Sequence, residues 1–136
     1  MTTRTRIPAA MLALAAAAAA TAHHSYAMFD ADRSISITGT IKEFQWTNPH
    51  SVTWVSVPGA GGKEALWAVE GRSPSELSRM GWNRKSLKPG DHVSILLHPL
   101  RDGRTGGGFI EVKLADGSVL SQDKVPSLAG KAGASP

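Results

Sequence analysis

The chain has 136 residues, no cysteine, 15 basic and 11 acidic side chains. That length bounds it to a single domain, and the missing cysteines exclude disulfides, paired-cysteine metal sites and a cysteine-linked lipid anchor. The formal charge of +4 is spread along the chain without a basic run, which excludes a nucleic-acid footprint of the usual kind.

Arg4 and Arg6 precede an apolar run from Pro8 to Ala20, and Ala20-Thr21-Ala22 places small residues where a signal peptidase reads. Residues 1–22 are therefore expected to be a secretory signal. The apolar run is shorter than the about 20 residues a membrane anchor needs, so no anchor is expected in the mature chain. Cleavage after Ala22 exposes His23; cleavage after Ala20 leaves Thr21-Ala22-His23. Arg4 and Arg6 leave with the leader, so the mature chain carries 13 basic against 11 acidic residues, a net +2. The expected location is the bacterial periplasm or the exterior.

Strand and turn signals fill the mature chain. Ser34–Trp46 reads as a long first strand. Ile35, Ile37 and Ile41 share one parity and Phe44 and Trp46 the other, so a bulge or bend is expected near Lys42-Glu43, with Gly39 relieving crowding. Asn48-Pro49-His50 is a turn. Ser51–Val57 and Glu64–Glu70 are the second and third strands, joined through the glycine-rich loop at residues 58–62. Ser73-Pro74-Ser75-Glu76 then fits a capping box with proline at the first helical position. Leu77 and Met80 give the helix a short apolar stripe and Gly81 stops it. Lys88-Pro89-Gly90-Asp91 is a turn. His92–His98 alternates cleanly, with Val93, Ile95 and Leu97 on one face. Asp102–Gly108 reads as a glycine-rich hairpin loop. Phe109–Leu114 is the fifth strand, with a short extension at Ser118–Leu120. Residues 121–136 read as a disordered polar tail.

Three strands, a short helix and two strands give an all-β domain over residues 23–120. The expected architecture is a five-stranded OB-like Greek-key barrel with the helix between strands 3 and 4. An antiparallel sandwich is the alternative. Trp46, Trp54, Trp67 and Trp82 are assigned mainly to the core, with Trp82 plugging a barrel end beside Leu77 and Met80 and Trp54 able to meet Trp67 across a strand pair.

Histidine is the residue type with chemistry to offer. His92 and His98 stand six residues apart on one strand face, about 20 Å, too far to share an ion. His23 and His24 differ. If His23 becomes the first residue, its amine and ring chelate one ion, and His50 in the turn is the distant partner. If the chain begins at Thr21, the third-position His23 still offers amine, amides and ring. Nitrogen donors in a planar set favour Cu(II), so the candidate metal ligands are His23, His24 and His50, and copper is the candidate cofactor. No catalytic carboxylate pair, nucleophile elbow, zinc signature or phosphate loop is present, so no enzymatic activity is expected.

The segments "AHHSYAMFD", "TGTIKEFQWTNPHS", "WAVEGRSPSEL" and "GWNRKSLKPGDHV", in this order, resemble an uncharacterised family of small exported bacterial proteins. The resemblance spans His23 to about Leu120. It implies export and a compact β-domain, no assigned activity, and a pattern that includes His23, His24 and His50. Tyr26 stands where that pattern leads one to expect phenylalanine. The function expected is a small periplasmic binding or accessory protein, with Cu(II) held at the mature N-terminus. The alternative is a metal-free barrel that binds a partner protein or small ligand.

Overall fold

A computed structural model describes residues 26–122. The elements are β1 (Ile35–Gln45), β2 (Val52–Pro58), β3 (Glu64–Glu70), α1 (Pro74–Arg79), β4 (His92–Pro99), β5 (Gly106–Leu114) and β6 (Val119–Ser121), with a 3-10 turn at Ala60–Gly62. The strands form one sheet in the order β3-β2-β1-β4-β5-β6, and β3 also pairs in parallel with β5. That last pairing joins Ala68, Val69 and Glu70 to Gly106, Gly107 and Gly108 and closes a five-strand barrel, which is the OB arrangement.

β1 is long enough to serve two neighbours. Its first half, Ile35–Thr40, pairs with β4, and its second half, Thr40–Gln45, pairs with β2. The register shifts between Ile41 and Glu43, so Lys42 is the extra residue of a bulge. The shift rotates the following residues, and Phe44 and Trp46 pack on the same core that holds Ile37 and Ile41. Gly39 lies where a Cβ would stand 2.2 Å from the Ser56 carbonyl oxygen. Glycine is therefore what lets β1 run this close to β2.

The core is built from alternate residues of each strand: Val55 and Val69, then Val93, Ile95 and Leu97 of β4, and Val112 of β5. α1 closes one end. Ser73 accepts from the Glu76 N–H while the Glu76 carboxylate accepts from the Ser73 N–H, and Pro74 starts the helix. With six residues the helix depends on packing for its stability. Leu77 supplies that packing, fully buried beside Trp82 and Leu87, with Met80 at their margin. The Trp82 indole N–H donates to the Ser121 carbonyl at 2.9 Å, and its ring meets Phe109 edge-on at 5.5 Å.

Three sequence expectations change. Gly106-Gly107-Gly108 is the start of β5 and part of the barrel seam, not a hairpin loop. Glycine tracts are usually read as loops, but here a Cβ at Gly107 would approach the His98 carbonyl oxygen to 2.3 Å, so bare backbone is needed at the seam. Trp54 and Trp67 do not meet: Trp54 is opposite Ala68 and Trp67 opposite Val55, so they occupy different faces. Only Trp67 packs on the core. Finally, β6 reaches Ser121 and Gln122 is buried, so the domain continues past Leu120.

Candidate functional site

The site lies at the barrel end where β3 and β4 terminate. The Asn48–Pro49 peptide is cis and delivers His50 to the start of β2. The next residue, Ser51, is buried and locked: its N–H and its hydroxyl both donate to the Arg72 carbonyl, at 3.1 and 3.0 Å, and its carbonyl accepts from the Gly71 N–H at 2.8 Å. This lock places the His50 ring beside the last residue of β3, and His50 Nδ1 pairs with Glu70 Oε1. Nδ1 is thus committed to a carboxylate, which leaves Nε2 as the ring nitrogen for a metal ligand.

A second set of contacts brings the N-terminal segment to the same end. Phe29 is buried and forms a single antiparallel bridge with Leu100. The Asp30 N–H donates to the Pro99 carbonyl at 2.8 Å and the Arg101 N–H to the Met28 carbonyl at 2.9 Å. Arg101 adds an ion pair to Asp30 at 3.5 Å. Residues 28–30 are therefore held like a short strand against the end of β4. Tyr26 follows from this anchoring: its ring stands edge-on to Phe29, with 6.2 Å between centroids, and edge-on to His50 at 6.5 Å.

Between these two sets is a cavity of about 220 Å³. Phe29, Phe109 and Ile110 supply apolar wall, and Glu70, Arg72 and His98 supply polar groups. Arg72 is fixed from several sides. Its N–H donates to Gln122 Oε1 at 2.7 Å, its Nε–H to the Gln122 carbonyl at 2.8 Å, and its Nη1 lies 3.5 Å from Glu76 Oε1. His98 Nδ1 is 2.7 Å from the Arg33 carbonyl oxygen. A carbonyl can only accept, so Nδ1 carries the hydrogen of this contact.

Of the histidines singled out by sequence, His98 lines the cavity and His50 stands beside it, paired with Glu70. His23 and His24 lie outside the described residues, and so do the leader and the tail beyond Gln122. His92 is at the far end of β4, hydrogen-bonded through Nδ1 to the Thr40 hydroxyl at 3.0 Å. Among the described residues, no group of three histidine or carboxylate side chains is placed to hold a metal ion. Sequence reasoning passed over Glu70, Arg72 and the role of His98. The signal for the first two was present in "VEGRSP", where opposite charges flank a glycine at a strand end.

The closed five-strand barrel with its capped helix makes this an OB-type domain, with its candidate site on the rim at the ends of β3 and β4. The chain belongs to a family of unknown function, DUF6152, whose profile matches residues 11–109. No curated protein matches it. Among solved structures it is similar to the mitochondrial single-stranded DNA binding protein Rim1 of S. cerevisiae. The sequence identity is 13%, the match covers 61% of this chain and 93% of that one, and the TM-score is 0.47.

Proposed function

We propose that the protein is a small exported binding protein that holds Cu(II) with its mature N-terminus and His50, and that it is not an enzyme. The observation that carries this reading is the Tyr26–His50 contact. His24 and His23 are two and three residues before Tyr26, reaches of at most about 7 and 11 Å, so the amine and rings at the start of the processed chain can come to the His50 ring. The His50–Glu70 pair supports the same reading. A histidine that ligates metal through one nitrogen typically gives its other N–H to a carboxylate, carbonyl or water, which fixes the ring orientation, and Glu70 is such a partner for His50. Removal of the leader then has a chemical purpose, because it creates the amine donor.

Copper titration of three proteins tests the site: the chain beginning at His23, the same chain with one extra N-terminal residue, and His50→Ala. The expected order of affinity is mature chain first, with both altered proteins weaker. Equal affinity for His50→Ala would reduce the site to a simple terminal chelate. Equal affinity for the extended chain as well would remove the amine from the ligand set and favour a metal-free binding module.

A further inference from the structure

We propose that the rim cavity is a binding site for a small zwitterion with an aromatic or bulky apolar side group, the chemistry of an apolar α-amino acid. The proposal is independent of the copper reading and would hold for a metal-free protein. Three observations carry it.

The first is charge. Glu70 and Arg72 flank Gly71 just where β3 ends, and both line the cavity. With a carboxylate and a guanidinium both in the lining, a ligand carrying both charges matches the cavity. Both are already oriented, Glu70 by His50 and Arg72 by Gln122, so little ordering is needed on binding. Their side chains are 28% and 37% exposed, open enough to be reached. The second is the wall. Phe29, Phe109 and Ile110 contribute an apolar, largely aromatic surface to the cavity lining. The third is size. About 220 Å³ is below the range of roughly 300 Å³ and upward that drug-sized ligands occupy, which restricts the ligand to a small molecule.

Calorimetric titration of the mature protein in chelator, with L-phenylalanine, 3-phenylpropionate, phenethylamine and glycine, tests the proposal. L-Phenylalanine is expected to bind about tenfold or more tightly than each of the other three, which lack the ammonium, the carboxylate or the side group. Amide shifts on binding are expected at Gly71, Gly108 and Phe109. Ala31 is exposed and lines the cavity, so Ala31→Phe should abolish binding while leaving Tm unchanged. The proposal is overturned if a singly charged analogue binds as tightly as phenylalanine, if the amide shifts fall elsewhere, or if folded Ala31→Phe binds as the parent does. It is equally overturned if none of the four binds, including the case in which residues 23–25 of the chain fill the cavity themselves.

Discussion

The α-carbon of Gly107 faces the backbone of His98 so closely that a Cβ there would lie 2.3 Å from the His98 carbonyl oxygen and 2.5 Å from a Leu97 methyl. Neither neighbour can yield: one is backbone of the β4–β5 ladder and the other a fully buried core side chain. Gly107→Ala is therefore expected to destabilise the fold by about 2–3 kcal/mol, as overpacking does. Gly61→Ala is the control. Its φ of +74° carries conformational strain, but nothing lies within 4 Å of its Cβ, so a loss of about 1 kcal/mol is expected. Urea unfolding of both variants measures the difference; equal losses would show that the seam tolerates a methyl group.

The capping box gives a second prediction. Ser73→Ala should cost about 1 kcal/mol in chemical unfolding. It should also have a pH signature. The Ser73 hydroxyl and backbone N–H donate to the Glu76 carboxylate, and Arg72 adds attraction, so the Glu76 pKa is lowered. A lowered pKa in the folded state contributes stability above the ordinary carboxylate value of about 4.3, and that contribution vanishes as pH falls through the folded value. The gap between wild type and Ser73→Ala should accordingly narrow from about pH 5 downward. The Glu76 side chain is 47% exposed, so solvent screening holds the pH-dependent part to about 0.5 kcal/mol or less. A gap that widens on acidification would contradict this assignment.

Glu70 offers a test of the proposed copper site that leaves its proposed ligands intact. Glu70→Gln keeps the shape of the side chain but removes the charge beside His50 Nδ1. Copper affinity is expected to fall by about 10- to 100-fold, as when an outer carboxylate partner of a metal-bound histidine is lost. Circular dichroism should show an unchanged fold. Undiminished affinity would mean that the His50–Glu70 pair only ties β2 to β3.

Processing of the proposed leader can be checked by intact mass of the protein recovered after expression of the full 136-residue chain. The expected mass is that of a chain beginning at His23, or at Thr21 if the peptidase cuts after Ala20. A retained leader would leave no amine near the histidines and would remove the basis of the proposed site.

Much of the barrel was legible because local chemistry and global fold agree. Ser73, Pro74 and Glu76 write a helix start that needs no tertiary information. The parity change between Ile41 and Phe44 announces the bulge at Lys42, since both halves of β1 must face one core. What was not legible depended on closure. Gly106–Gly108 carry no side-chain pattern, and their place in a strand is decided by β3 and β4 on either side. Trp54 and Trp67 could be assigned to strands but not to faces, because cross-strand register is not visible in either strand alone. The site was half legible. His50 and His98 stood out by residue type, whereas Glu70 and Arg72 are ordinary residues until the closed barrel gathers them with Phe29 around one cavity.

The closing seam also governs how the molecule forms. It pairs residues 68–70 with residues 106–108, partners 38 positions apart by the difference of their numbers. Local pairs such as β2 with β3 can form early, but the seam must await β4 and β5, and long-range pairing of this kind slows folding. Until then β3 presents an unpaired edge capable of joining another chain. Protein dilution during refolding should therefore matter more for this small domain than its size suggests. Concentrated refolding mixtures should lose material to aggregation, and Gly107→Ala, which weakens the seam, should lose more.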